Sequence, residues 1–371
     1  MRKNILIFGH NYGPQFIDIY NQYTRLFDKT NYCVTVAYLT GAPNETVRDR
    51  TIAEDVLFLN CSKSSIRYLK LKPIQRLLRL CREKNFHQVI CHRYKPAYIM
   101  AWVTQFKFIP SLIFVMHELG TMRSLGRRLL AFLFRKKPII YAGVSNAVRD
   151  DLRQSLPHLP HERVVTLYNM IDVNLTEPQL LSRQKARSLL QQPEAVFLFG
   201  HVARLVPNKD QKNLIAAFAR IKPHCPNAKL IIIGSGTLAD ELKNQVHHTG
   251  LHQDVIFTGQ LTNGFSYMPA FDCFVLSSLQ EAFGRVLLEA MIAKCPIIAT
   301  RTHGIPEVVG NAGELVPAQD TSALANAMQT MYAHSQTERE RMGQVAYQHM
   351  VNHFSIPVFH QHFWQLPFSK E

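Results

Sequence analysis

The feature that most restricts the fold of this chain is an alternation. Short apolar runs at Asn4 to Phe8, Tyr32 to Leu39, Val89 to His92, Ser111 to His117 and Ile139 to Ser145 read as strands, and the stretches between them carry helical periodicity. After the first strand, Gly9-His10-Asn11-Tyr12-Gly13-Pro14 forms a glycine loop that leads into a helix through Phe27. Pro73 opens an amphipathic helix with Ile74, Leu77, Leu78 and Cys81 on the apolar stripe and Arg76, Arg79 and Arg82 opposite. The alternation restarts at Val196, with strands at 196–200, 229–233, 255–257, 273–276 and 297–300 and helices from Gln211, Leu238, Gly284 and Ser322. Strands joined by helices pair in parallel and are covered on both faces, so an α/β fold is expected. A chain of 371 residues exceeds one ordinary core. We expect one domain over 1–170, a second over 171–354, and a Pro-, His- and Gln-rich linker from Pro157 to Pro193 interrupted by strand-like Val164 to Tyr168. The aromatic segment within 355–371, with Phe359, Phe363 and Trp364, is expected to pack back onto the first domain.

Charge divides the halves. Residues 1–171 hold 26 Lys and Arg against 11 Asp and Glu, whereas residues 172–371 hold 16 of each, so the whole net charge of +15 belongs to the first half. That half should meet something anionic: a phosphorylated substrate, an acidic membrane or nucleic acid. No aromatic stripe, zinc-finger spacing or basic low-complexity arm supports nucleic acid, which is not expected as a partner. The stretch 122–137, MRSLGRRLLAFLFRKK, sets Met122, Leu125, Leu129, Leu130 and Leu133 among six basic side chains and reads as a basic amphipathic helix suited to an anionic lipid surface. The seven cysteines contain no C-x-x-C pair and read as free thiols of a reducing compartment. No apolar run approaches a membrane span or a secretory leader, so a cytoplasmic protein, peripheral on the inner face of the cell membrane, is expected.

The chemistry concentrates in Ser277 to Ile292, SSLQEAFGRVLLEAMI. Glu281 and Glu289 flank Gly284, where a helix opens. The first N–H groups of a helix have no intrahelical acceptor and its dipole favours negative charge there, which makes a site for phosphate. Arg204 and Lys209 follow the first strand of the second domain, one offering a bidentate fork and the other a mobile point charge to a diphosphate. Gly234 and Gln260 end two further strands of that domain. Ligands of such sheets sit beyond the carboxyl ends of the strands.

In order and spacing, GHVARLVPNKDQKNLIAAF, LIIIGSGTLADEL, VIFTGQL, AFDCFVLSSLQEAFGRVLLEAM, IIATRTHGIPEVV and AGELVPAQDTSAL resemble the C-terminal domain of family-4-type retaining glycosyltransferases with the GT-B fold. AGVSNAVRDDL and LYNMIDVNLTEP resemble the family's serine-containing turn and its N-G-[IV]-D linker. The resemblance implies two Rossmann-like domains facing each other across a cleft, and transfer of a sugar from a nucleotide-sugar donor, UDP or GDP, to a hydroxyl with retention of configuration. It implies that Glu289 takes the ribose hydroxyls, that Glu281 contacts the transferred sugar, and that the backbone of Phe283, Gly284, Arg285, Val286 and Leu287 holds sugar and phosphate. It gives Arg204 and Lys209 the leaving diphosphate and His117 a place facing the donor sugar. His10, Gly13, His92 and Ser145 are further candidates on the acceptor or sugar side. With those cations in that role no metal or cofactor is needed, and the chain has no D-x-D pair. The expected acceptor is a glycolipid or saccharide of bacterial lipopolysaccharide or surface polysaccharide. Four departures stand out: Glu281-Ala282-Phe283-Gly284 replaces E-G-F-G, His303-Gly304-Ile305-Pro306-Glu307 replaces G-G-x-P-E, Asn169-Met170-Ile171-Asp172 replaces N-G-[IV]-D, and Gly9 and Gly13 replace an adjacent pair. Another GT-B enzyme, a nucleotide-sugar epimerase or a phosphorylase, is the near alternative, and Gly143-Val144-Ser145-Asn146-Ala147 approximates a hydrolase elbow without its last glycine.

Overall fold

The structure, a computed structural model, describes residues 2–67 and 70–367, with Pro14 and Gln15 described by their backbone alone. Of the aromatic C-terminal segment, 368–371 lie outside the described residues. The chain divides into two units, one running to Asn169 and resuming at Phe359, the other comprising Met170–Val358.

The first unit is built on strands β1 (Lys3–Gly9), β2 (Tyr32–Tyr38), β3 (Asp55–Phe58), β4 (Gln88–His92), β5 (Ser111–Met116), β6 (Ile139–Gly143) and β7 (Val164–Thr166). They form one parallel sheet in the order β3-β2-β1-β4-β5-β6-β7. Its central strands are buried on both faces, since every residue of β4, β5 and β6 is enclosed, which is why each reads as an unbroken apolar run. The second unit repeats the plan with β8 (Phe197–Val202), β9 (Ala228–Ile233), β10 (Val255–Gly259), β11 (Cys273–Leu276), β12 (Ile297–Thr300) and β13 (Glu314–Val316), in the order β10-β9-β8-β11-β12-β13. In both sheets the winding reverses beside the first strand, between β1 and β4 and between β8 and β11. Connections leave in opposite directions at such a point and open a crevice at the carboxyl ends of the strands.

The helix Ile356–Trp364 carries the C-terminal aromatics to the first unit. The Phe359 ring lies 5.1 Å from Tyr23, and Phe363 and Trp364 lie 5.8 and 5.7 Å from Phe27.

Three local expectations change. The stretch from Pro157 to Pro193 holds the expected strand, β7, but is not otherwise a plain linker, because it also contains the helices Val173–Thr176 and Arg183–Leu189, capped by the Asp172 carboxylate and the Ser182 hydroxyl. Arg187, only 1% exposed, anchors it: its guanidinium pairs with Asp272 at 2.7 Å and donates to the carbonyls of Pro193, Glu194, Val196 and Ala270. The helix expected over 122–137 is shorter, Leu125–Leu133. Met122 and Phe134 are buried at its two ends, while Leu125, Leu129 and Leu133 stand 79, 59 and 58% exposed. In the helix Leu71–Lys84, which starts two residues before Pro73, Leu80 rather than Leu78 completes the buried stripe.

Candidate active site

In the second unit, β8 and β11 lie side by side, Phe199 opposite Cys273 and Gly200 opposite Phe274, so the loops that follow them emerge together. The β8 loop tightens into a short 3₁₀ turn, Pro207–Lys209, and the β11 loop runs from Ser277 to Gly284. The two are sewn to each other. Leu279 N–H donates to the Asn208 carbonyl at 2.9 Å, and Ser277 Oγ donates to the Lys209 carbonyl at 2.9 Å. Across this seam the Lys209 ammonium pairs with the Glu281 carboxylate, which also accepts from Ser278 Oγ at 3.2 Å. Both charged side chains are largely enclosed, so each is held in one orientation before any ligand arrives.

Gly284 is the residue from which the next helix, Arg285–Ile292, departs. Its φ of +87° lies in the left-handed region that favours glycine, and a glycine there supplies no side-chain cap of its own. Phe283 and Leu287 are buried, so they offer backbone rather than side chain at this end, whereas Arg285, Val286 and Glu289 are half-buried. Glu289 sits about one turn into the helix, on the same element as the N-terminal amides. A third loop supports Glu281 from behind: Gly304 N–H donates to the Glu281 carbonyl at 3.0 Å, and a Cβ on Gly304 would stand 2.3 Å from the Ala282 carbonyl oxygen. Ala282 does not take a positive φ, so the alanine fits where the family pattern has glycine. His303, also at a pattern glycine, keeps a φ of +45° and is held by Thr302 Oγ1 at 2.6 Å.

Arg204 is exposed on the β8 loop, whose backbone pairs with the glycine loop after β9: Leu205 N–H donates to the Ser235 carbonyl at 2.9 Å. Gly234 donates its N–H to Gly259 at 2.8 Å, and Ser235 Oγ donates to Gln260 Oε1 at 3.2 Å, so Gly234 and Gln260 belong to one neighbouring rim. Beneath the Lys209 turn lies His201, fully buried. Its Nδ1–H donates to the Val275 carbonyl at 2.8 Å and its Nε2 accepts from Gln211 at 3.2 Å. Burial, then the nearby Lys209 charge, push its pKa down to about 4, against the Val275 contact that raises it.

In the first unit three histidines, His10, His92 and His117, lie at the ends of β1, β4 and β5. His92 Nδ1 and His117 Nε2 lie 3.1 Å apart and share one proton. His92 is fully enclosed, its ring 4.6 Å from Tyr23 and 5.0 Å from Tyr20, and desolvation followed by the His117 charge hold its pKa well below the usual histidine value. His10 and His117 line one pocket of about 540 Å³. Burial, and then the Lys95 and Arg93 charges, lower the His10 pKa to about 4, so it is neutral at pH 7. Gly13 precedes the first helix at an ordinary φ of −53°. Ser145 is fully buried, and its hydroxyl accepts from Val148 N–H at 3.1 Å to cap the helix Asn146–Ser155, which accounts for a serine there without a nucleophile.

The sequence reading missed the tethers. Ser277 and Ser278 directly follow β11, and two hydroxyls at the end of a central strand were the available signal. It also missed Thr302, whose Oγ1 donates to the Leu279 carbonyl at 2.9 Å.

The family model "Glycosyl transferases group 1" matches residues 182–349, and that of "Glycosyltransferase Family 4" matches residues 24–175. The chain is a glycosyltransferase of this family. Among curated relatives, the N-acetylgalactosamine-N,N'-diacetylbacillosaminyl-diphospho-undecaprenol 4-alpha-N-acetylgalactosaminyltransferase of Campylobacter jejuni is 28% identical over 289 residues, 74% of this chain and 76% of the relative. A lipopolysaccharide core biosynthesis glycosyltransferase of Rhizobium meliloti, LpsD, is 31% identical over 148 residues, 39% of this chain and 42% of the relative. Among solved structures, Anabaena Alr3699/HepE in complex with UDP and glucose superposes with a TM-score of 0.79 at 21% identity, over 98% of each chain. That likeness shows the fold of this glycosyltransferase, the GT-B arrangement of two parallel-sheet α/β domains.

Proposed function

We propose that this glycosyltransferase moves a hexosyl group from a UDP- or GDP-sugar to a hydroxyl of a glycolipid or growing saccharide, with retention and without a metal ion, in lipopolysaccharide or surface polysaccharide synthesis. The observation that carries the reading is the enclosed Lys209–Glu281 pair beside the helix start at Gly284, with Glu289 one turn along the same helix. Vicinal ribose hydroxyls are two donors for the acceptor-only Glu289 carboxylate. The diphosphate lies against the amides that follow Gly284, with Lys209 and Arg204 as its counter-charges. Glu281, fixed by Lys209, Ser278 and Gly304, is set to receive sugar hydroxyls. The sugar C1–O bond breaks with its electron pair passing to the diphosphate, whose growing charge those cations stabilise, and the acceptor oxygen bonds C1 from the same face as its proton passes to a phosphate oxygen. In the first unit, His117 is oriented by its hydrogen bond to His92.

The relatives support the choice of substrates: one is named for a diphospho-undecaprenol acceptor, another for the lipopolysaccharide core, and the HepE structure holds UDP and glucose. The exposed Leu125, Leu129 and Leu133 among basic side chains suit peripheral contact with an anionic membrane at its cytoplasmic face. No helix among the described residues is long and apolar enough to cross a membrane.

A thermal-shift series of nucleotide sugars, followed by assay of free nucleoside diphosphate with and without acceptor, tests the reading. A concentration-dependent rise in Tm with one nucleotide class and acceptor-dependent release are expected. Release without acceptor, or a sugar epimerised in place, contradicts it.

A further inference from the structure

The pocket beside His10 and His117 has a charge character that the two histidines do not explain. Five cations line it, Arg67, Lys70, Arg93, Lys95 and Arg127, against a single carboxylate, Glu118. Glu118 is already engaged, accepting from Arg93 at 2.6 Å. Three of the cations are steadied by aromatic faces: Lys70 lies 3.9 Å over the Tyr98 ring, Arg127 4.3 Å over Tyr94, and Arg93 5.1 Å over Phe16. A ring face orients a cation without cancelling its charge, and Glu118 offsets only Arg93 of the five. The cations therefore feel one another. The Lys70 ammonium is held below its ordinary pKa by burial and then by Lys95 and Arg127.

The backbone at the pocket is committed as well. Arg93 takes φ +74° and ψ 164°, a region that side-chain-bearing residues avoid, and is kept there by its N–H bond to the Val115 carbonyl at 2.9 Å. Such strain persists where the surroundings enforce it, and it clusters at ligand clamps. Here it turns a guanidinium into a cavity of about 540 Å³, room for a diphosphate with an attached ring.

We infer that this pocket binds a phosphate or diphosphate group of the acceptor, so that the acceptor class is a phosphate-linked saccharide or lipid and not a neutral glycan. A phosphate monoester brings about 1.5 to 2 negative charges, and a diphosphate more, which answers this excess of cations where one carboxylate would not. Arginine forks meet phosphate oxygens in pairs, and Lys70 and Lys95 add point charges. The inference rests on the proposed transfer reaction, in which the donor diphosphate has its own cations in the other unit.

Inorganic pyrophosphate titrated calorimetrically into the full chain with the donor site filled by saturating nucleoside diphosphate, in wild type, Lys95→Gln, Arg127→Gln and Lys209→Gln, is the test, with a UDP- or GDP-sugar titrated in parallel into the unliganded proteins. Loss of one charge-assisted contact weakens pyrophosphate about tenfold in Lys95→Gln and in Arg127→Gln. Their nucleotide-sugar affinity is unchanged, while Lys209→Gln shows the reverse pattern. Pyrophosphate affinity insensitive to both pocket substitutions overturns the inference. If nucleotide sugar binds normally in that case, the transferase reading survives; if no nucleotide sugar binds at all, that reading fails separately. Two further arms separate the sources of the phosphate. Lys95-dependent retention on phosphatidylcholine vesicles carrying a polyprenyl diphosphate assigns a lipid-borne group, and Lys95-dependent binding of a soluble sugar 1-phosphate assigns a free one.

Discussion

Lys209 and Glu281, 72 residues apart in the chain, meet as an ion pair in which each side chain is only 14% exposed. The ammonium and the carboxylate are each other's support, and each has a separate proposed duty toward the donor. Glu281→Gln keeps the shape and removes the charge. We expect kcat to fall about a hundredfold, the scale of losing one well-placed electrostatic group, with nucleotide affinity within about threefold of wild type. Steady-state kinetics beside a binding titration separates the two effects, and an equal loss in both would move Glu281 from turnover to ground-state binding.

His201 gives the second unit an acid limit. Its folded pKa near 4 is below its ordinary 6.5, so the folded state binds fewer protons than the unfolded chain. Its contribution is full above about pH 6.5 and is lost as pH falls toward 4, by about 3 kcal/mol in all. The unfolding free energy of wild type measured against His201→Gln from pH 7.5 to 4.5 should show a gap that shrinks with acid. A constant gap would mean that His201 does not stay neutral in the fold.

Arg187 should be irreplaceable by an apolar residue alone. Arg187→Leu leaves Asp272, 9% exposed, still paired with Arg183 and the Leu198 N–H but without its buried partner, and frees four carbonyls. A loss of about 3–5 kcal/mol in denaturant unfolding is expected. A loss under 1 kcal/mol would show that the 183–196 segment is not anchored there.

The strands that were legible are those buried on both faces, such as β5 and β12, because only an unbroken apolar run satisfies that position. The edge strands β3 and β13 are short and half-buried, and they escaped. So did the 19-residue helix Gln336–Phe354, whose buried residues, Gly343, Ala346, Met350 and Phe354, include two too small to register as an apolar stripe. Gly343 is there because a Cβ would stand 1.9 Å from the Lys294 carbonyl oxygen. At the candidate site, Glu281, Gly284 and Glu289 could be read because loop and helix start are local in sequence, and Lys209, 72 residues from Glu281, because it follows the first strand of its unit. The cationic pocket could not: Lys70, Arg93 and Arg127 come from three segments that adjoin only through the sheet order, and composition reported their sum alone.

The helix Leu125–Leu133 is a different case: periodicity identified its leucines, and Leu125, Leu129 and Leu133 face outward while Leu130 is half-buried. Leu125→Gln, Leu129→Gln and Leu133→Gln together should cost no more than about 0.5 kcal/mol per site and abolish sedimentation with phosphatidylglycerol vesicles. Unchanged sedimentation would remove this helix from any membrane contact.

The central claim is that the Gly284 helix start and Glu289 hold a nucleotide sugar. Calorimetric titration of UDP- and GDP-sugars into wild type and Glu289→Ala tests it most directly. One nucleotide class should bind wild type at a single site, and Glu289→Ala should weaken it about tenfold to a hundredfold, the loss of charge-assisted hydrogen bonds to the ribose. Equal affinity in the two proteins would contradict the account.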